Sequence, residues 1–304
     1  EFLFQSDVFG LTWDIGHSNA VANADEQFIM DHKDKLFHFH LHDSISKNDH
    51  MPLGGASTVY NEYENEKFFE EYAKMPRSKD GLSSAGEWHQ LKPLFPQLQG
   101  KKVLDLGCGY GWHCKFAAEQ GATQVLGLDL SQKMIEEAKK RNTESKIEYR
   151  ICGIEEYEYP ANTWDCVVSN LALHYIENLD EIFQKIHQTL KSDGVFLFNI
   201  EHPIFTSGVG QDWVYTNEGK PQYWPLDNYF YPGERKTNFL GCDVTKQHHT
   251  LTQILMGLLN NGFELEAVEE AEPPREMMNI PGMKDELRRP MMLLVKAIAN
   301  KSNL

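Results

Sequence analysis

The run VLDLGCGYG, from Val103 to Gly111, constrains this chain more than any other stretch. An apolar strand enters a turn with Gly107, Gly109 and Gly111; a helix from Trp112 to Gln120 follows, and a second apolar strand, Gln124 to Leu130, carries Asp129 near its end. Strand, glycine turn, helix, strand and a carboxylate about 20 residues past the turn is the layout of a nucleoside-binding βαβ unit. The spacing narrows the nucleoside. The glycines read GxGxG, and Trp112 stands where a dinucleotide fingerprint needs a third glycine for close helix–strand packing beside a pyrophosphate. An indole at that place argues against NAD and FAD. Gly107 and Gly109 still let the backbone approach a ligand closely. Asp129 is placed to accept hydrogen bonds from vicinal ribose hydroxyls, which favours an adenosyl group without a 2′-phosphate.

At these residues the chain resembles the class I S-adenosylmethionine-dependent methyltransferases, whose first motif and ribose-binding acid match VLDLGCGYG and Asp129. The resemblance covers residues 57–304. It extends to WDCVVSNLALHYI (Trp164 to Ile176), similar to that family's fourth strand and the loop lining its transfer site, and to VFLFNIEHP (Val195 to Pro203), similar to its fifth strand. The fold it implies is α/β, a Rossmann-like seven-stranded sheet, mostly parallel with the last strand antiparallel, flanked by helices. The implied activity is methyl transfer from S-adenosyl-L-methionine to a small-molecule acceptor by in-line displacement. The implied cofactor residues are Tyr72, Arg77, Asp105, Gly107, Gly109, Asp129, Leu130, Met134, Ile154, Asn170 and Leu171.

Composition sets the outer limits. With 304 residues, 41% of them hydrophobic, the chain can bury the core of one large domain or of one domain with an appendage. A formal net charge of −16 repels polyanions, so nucleic acid is not an expected partner. Five cysteines, Cys108, Cys114, Cys152, Cys166 and Cys242, form no CxxC pair and fit a reducing cytoplasm. Neither a membrane span nor a secretory leader is recognisable, and a cytoplasmic location is expected.

Residues 1–55 carry a different chemistry. DIGH (Asp14 to His17), the alternating FHFHLHD (Phe37 to Asp43), then Asp49, His50 and the following PLG resemble the later strands of the sugar phosphate isomerase and endonuclease IV-like TIM barrel family. That resemblance implies metal ligands at Asp14, His17, His40 or His42, and Asp49 or His50. A barrel of eight strands needs about 250 residues, so the segment is expected to be a truncated or fused appendage, joined to the rest through Gly54 to Ser57, and no metal site is assigned. A metal-dependent isomerase or endonuclease, and a non-catalytic adenosyl-binding protein, are the alternatives to the transferase.

Within residues 57–304, Phe68, Phe69, Tyr72 and Met75 recur at helical spacing and read as an N-terminal lid, whose Tyr72 or Arg77 would meet the cofactor's methionine carboxylate. Ser131 is the expected N-cap of a helix Gln132 to Arg141, where Met134 would touch ribose or adenine or else pack in the core. Lys146 to Cys152 reads as the third strand. Gly153 stands where the family often has an acid for the adenine amine, so the Ile154 backbone is expected to serve instead. Asn170, Leu171 and His174 follow the fourth strand and Glu201 and His202 end the fifth, at the carboxyl edge where open α/β sheets bind ligands. His202 and His174 are the candidate general bases for a hydroxyl or amine acceptor. The aromatic stretch 203–247 has little periodicity and reads as a substrate-cover insertion, with Arg235, His248 and His249 available to an acidic acceptor group. A helix Leu251 to Asn261, stopped by Gly262, and two strands, Phe263 to Ala271 and Met291 to Ala299, complete the reading.

Overall fold

A computed structural model describes residues 63, 65–208 and 210–301, together with the backbone of four short strands nearer the N-terminus. The chain divides into two compact units, 1–61 and 62–304.

In the first unit β1 (Leu11–Asp14) pairs in parallel with β2 (Leu36–His40), setting Asp14 opposite His40. β3 (Asp43–Ile45) pairs antiparallel with β4 (Asn48–Met51). Asp14, His40, Asp49 and His50 fall on these strands, while His17, His42 and the Gly54 to Ser57 junction lie outside the described residues.

The second unit begins with Tyr63 and the helices α1 (Glu66–Lys74), α2 (Pro76–Asp80) and α3 (Trp88–Leu94). The alternation then runs β5 (Lys102–Leu106), α4 (Trp112–Glu119), β6 (Gln124–Asp129), α5 (Gln132–Arg141), β7 (Ile147–Ile151), β8 (Trp164–Asn170), α6 (Leu179–Thr189) and β9 (Leu190–Glu201). Next come a short α7 (Pro203–Ser207), β10 (Val214–Tyr215), β11 (Pro221–Tyr223), β12 (Gly233–Phe239) and β13 (Cys242–His248). The chain closes with α8 (Leu251–Asn260), β14 (Phe263–Glu270) and β15 (Met292–Ala299).

One seven-stranded sheet organises this unit, in the order β14-β15-β9-β8-β5-β6-β7. Strands β5 to β9 pair in parallel, and β15 runs antiparallel to both of its neighbours, β9 and β14. The central strands are apolar on both faces because helices cover both. On one face Leu104, Leu106 and Phe198 pack with Ile182, Phe183 and Ile186 of α6 and Leu258 of α8. On the other, Val103, Val125 and Leu197 pack with Cys114 and Ala117 of α4 and Ile135 of α5. Helix α6, absent from the sequence reading, carries Leu179, Ile182, Phe183 and Ile186 at core spacing, with Asn178 capping its first turn.

Chain order reverses at β5, which has β6 on one side and β8 on the other. Ligands of open α/β sheets bind in the crevice outside such a switch point. Among the described residues no helix is long and apolar enough to cross a membrane, and no group of three or more His, Cys, Asp or Glu could hold a metal ion.

Candidate active site

The glycine turn leaves β5 at the switch point and is pinned to β6. The N–H groups of Gly107 and Cys108 both donate to the Leu128 carbonyl, at 2.9 and 2.8 Å. Gly109 N–H donates to Asp129 Oδ2 at 2.8 Å, and Ser131 N–H donates to Oδ1 at 2.9 Å, so the carboxylate is held at the loop in a fixed pose.

The three glycines have different surroundings. A Cβ on Gly107 would lie 2.3 Å from the Ala172 Cβ of the loop after β8, and one on Gly111 would lie 2.3 Å from the Tyr149 hydroxyl. Only Gly109 of the three faces room: the nearest atom to its would-be Cβ is the Tyr72 hydroxyl at 3.8 Å. Trp112 starts α4, and its indole lies 3.1 Å from the would-be Cβ of Gly81, the C-cap of α2. Pairing the indole with Gly81 thus fastens the helices before β5 to the glycine turn.

Asp105 is buried beneath the turn. Cys114 Sγ donates to its Oδ2 at 3.2 Å, while Oδ1 has no hydrogen-bond partner among the described residues. Burial, more than the nearby Asp129 charge, pushes its carboxyl up to about 7. Leu130 and Asn170 are half-buried at the ends of β6 and β8. Asn170 Oδ1 accepts from Asn199 Nδ2 at 2.9 Å, and Leu171, held at φ +56°, donates its N–H to the Asn199 carbonyl at 2.8 Å. A left-handed leucine beside a ligand crevice is local strain of the kind that collects at functional sites. The Ile154 side chain reaches within 3.9 Å of the Gly107 would-be Cβ, and its N–H makes no hydrogen bond among the described residues.

The lid residues are distributed differently. Tyr72, on α1, stands over Gly109, and burial raises its hydroxyl pKa. Arg77 donates through Nη2 to the buried carboxylate of Glu87 at 2.8 Å, bracing α2 against the start of α3. Met134 is closed off from solvent in the first turn of α5, where Ser131 Oγ accepts its N–H.

Beyond the turn, side chains from five elements close a ring at the carboxyl edge. Tyr72 packs edge-on against Tyr63, whose hydroxyl lies 2.9 Å from that of Tyr175. His174, beside Tyr175 in the 3-10 turn Leu173–Tyr175, brings Nε2 to 3.9 Å from Glu201 Oε1 at the end of β9. Lys246, on β13, donates to that same Oε1 at 2.6 Å and to Gln211 Oε1 at 3.2 Å. Its ammonium lies 5.4 Å from the Phe239 ring, and Phe239 returns to Phe68 of α1 at 5.9 Å. Glu201 is 8% exposed and Lys246 and His174 3% each, so an ion pair and an imidazole sit together out of water. Burial depresses His174 to about 4, against an opposing pull from Glu201, leaving it neutral at pH 7 and a weak proton acceptor.

His202, expected as a base beside Glu201, faces elsewhere. It is the N-cap of α7: its Nδ1 accepts the Ile204 N–H at 3.1 Å, and its Nε2 lies 3.1 Å from Glu270 Oε1. With Nδ1 accepting, Nε2 carries the proton, and the ring as it stands offers no lone pair to a substrate. The stretch read as a substrate-cover insertion, with an extra β-hairpin as the alternative, contains a regular hairpin, β12–β13, closed by Leu240 and Gly241 at φ +55° and +77°. Both central residues have positive φ, the type I′ geometry that matches strand twist. Arg235, expected to face an acceptor, is used up holding this segment. Its guanidinium donates to the carbonyls of Ser207, Gly233, Glu234, Asn228 and Tyr231. His248 bridges Thr206 Oγ1 and the Tyr229 carbonyl, and His249 Nε2 lies 2.8 Å from the Ile176 carbonyl. Lys246, Tyr63, Tyr175 and Phe239 escaped the sequence reading; a lone lysine in an aromatic stretch carries no spacing signal.

Comparison with known proteins agrees with this architecture. The family model "Methyltransferase domain" matches residues 104–198. The solved structure of a putative S-adenosylmethionine dependent methyltransferase from Listeria monocytogenes is 48% identical, with 72% of this chain covering 98% of that one at a TM-score of 0.69. An S-adenosylmethionine dependent methyltransferase from Mesorhizobium loti is 39% identical, with 72% of this chain covering all of that one (100%) at a TM-score of 0.67. An uncharacterized protein of Haemophilus influenzae is 33% identical over 249 residues, 77% of this chain and 95% of its own length.

Proposed function

Because the chain belongs to the S-adenosylmethionine-dependent methyltransferase family, we propose that this enzyme methylates a small molecule enclosed at the carboxyl edge of its sheet. Its cofactor is S-adenosyl-L-methionine. The residues present fit that group on three counts: a Cβ on Gly109 would meet only the Tyr72 hydroxyl, at 3.8 Å, the buried Oδ1 of Asp105 lacks a partner among the described residues, and the Ile154 N–H is available to a ring acceptor. Gly107, Gly109 and Leu130 would lie along its adenosyl part, Asp129 would take the ribose hydroxyls, Ile154 the adenine, and Tyr72, Arg77 and Asp105 the methionine end, while Met134 packs in the core. When bound, the cofactor supplies an activated methyl on a sulfonium and a good leaving group.

The protein's own work is then alignment and water exclusion. Asn170 and Leu171, fixed by Asn199, shape the edge between the glycine turn and the acceptor side. Of the two histidines weighed as bases, His174 is the one in the ring, while the His202 ring is committed to α7.

The observation that carries the small-molecule reading is the 5.9 Å contact of Phe68 with Phe239. The lid helix and the hairpin meet over the site there, which favours an enclosed acceptor over a polymer lying across an open groove. The negative charge of the whole chain points the same way for nucleic acid. Incubating the protein with S-adenosylmethionine carrying a trideuterated methyl and a fractionated bacterial extract tests it. Label is expected in the metabolite fraction; label confined to protein or RNA would overturn the reading.

A further inference from the structure

The hydrogen-bonding atoms left unfilled in the ring describe what belongs beside them. Glu201 Oε1 is taken by Lys246, but the buried Oε2 has no partner among the described residues, and neither do His174 Nδ1 and Gln211 Nε2. A buried polar atom without a partner is destabilising, so three in one cluster favour a bound group that completes them. The pair Glu201–Lys246 is neutral in sum, His174 is uncharged at pH 7, and Tyr63, Tyr175 and Phe239 add aromatic walls. An anionic acceptor group would meet the free carboxylate oxygen, with the lysine already paired. A cationic one would meet the buried ammonium. Like charges out of water repel strongly, and an uncharged O–H or N–H avoids both conflicts.

We propose that Glu201, oriented by Lys246 from the β12–β13 hairpin, recognises the acceptor together with His174, and that the acceptor presents an uncharged hydroxyl or amine N–H to Glu201 Oε2. The inference rests on the small-molecule reading and names its substrate class. As the methyl moves, the acceptor oxygen or nitrogen provides the electron pair of the new bond to carbon. The pair of the broken carbon–sulfur bond stays on sulfur, and the acceptor's proton passes to Glu201 Oε2 and then to water. Lys246 is a positioning residue: it occupies Oε1 and leaves Oε2 without a partner among the described residues. This role also gives the inward-facing polarity of the hairpin a purpose.

The test compares the wild type with Glu201→Gln, Lys246→Met and the double variant, all as the full chain. Each is measured for melting temperature, S-adenosylmethionine affinity by calorimetry, and transfer of a trideuterated methyl to a bacterial metabolite extract, with the methylated atom located by fragmentation. Replacing both members of a buried pair by neutral groups of similar size leaves folding nearly intact. The double variant is therefore expected to melt within about 5 °C of wild type and to bind the cofactor within threefold, while labelling falls at least a hundredfold. Label in the wild-type products is expected on an oxygen or nitrogen uncharged at pH 7. Wild-type labelling rates in the double variant would reduce the pair to a brace and overturn the proposal, as would label on carboxylates, phosphates or protonated amines. If the double variant does not melt cooperatively, Glu201→Gln, nearly isosteric, decides by the same comparison. Cofactor binding with no label in the wild-type metabolite fraction would overturn the small-molecule reading itself, a result separable from the others because it needs no variant.

Discussion

A methyl group added at Gly107 would meet the Ala172 Cβ at 2.3 Å, whereas at Gly109 it would meet nothing closer than the Tyr72 hydroxyl at 3.8 Å. Both residues have positive φ, +73° and +51°, where an L side chain costs about 1–2 kcal/mol. Gly107→Ala adds overpacking of about 1–3 kcal/mol and is expected to lower the melting temperature by roughly 2–4 °C per kcal/mol. Gly109→Ala is expected to disturb the fold less but to weaken S-adenosylmethionine binding at least tenfold; equal melting losses for the two would contradict this. Asp105 gives a second prediction. Its folded pKa of about 7 stands above the unfolded carboxyl value, so the folded state holds an extra proton between about pH 4 and 7. Stability tied to this group is therefore lost as pH rises through that window. Asp105→Asn is expected to match wild type in thermal melts at pH 4 and to exceed it at pH 8, by up to about 4 kcal/mol at 1.4 kcal/mol per pK unit. A parallel pH dependence for the two proteins would contradict it. The sequence displayed the glycines and Asp129 through spacing alone, because a turn of that shape admits few residues. Which glycine faces room depends on Ala172 and Tyr149, residues far along the chain, and spacing carries no trace of them.

At the scale of elements, the sheet strands and the helices α4, α5 and α8 were readable because each buries apolar residues at a regular period, a signal that α6 also carries although the reading passed over it. The strands of the β12–β13 hairpin could not be placed that way. Its inward positions alternate correctly, yet they are Arg235, Thr237, Lys246 and His248 alongside Val244. Apolar periodicity cannot register a strand that buries polar groups, and such a strand stays folded only because those groups find partners. Arg235 makes the strongest case, with five backbone carbonyls accepting from it. Arg235→Ala leaves those carbonyls without their donor and is expected to cost about 3 kcal/mol. Hydrogen exchange should quicken across residues 228–247, while cofactor affinity stays within threefold, since none of these carbonyls belongs to the glycine turn. Unchanged exchange would contradict that role. His202 teaches the same lesson in reverse: its position at a strand end was legible, but its service as the cap of α7 depends on Pro203 turning the chain into a helix there.

The whole molecule is two compact units, 1–61 and 62–304, and every residue of the glycine turn and of the ring belongs to the second. A protein comprising residues 62–304 is expected to fold and to bind the cofactor with an affinity within threefold of the full chain; loss of binding by the folded unit would contradict this. Asp129, which fixes the glycine turn, is expected to hold the adenosyl ribose. Calorimetric titration of S-adenosylmethionine into the full chain and into Asp129→Ala, at a temperature where both are folded, tests it most directly. One-site binding by the wild type and at least a hundredfold loss in the variant, about 2.7 kcal/mol, is the expected result. Equal affinities, or no binding by the wild type, would contradict it.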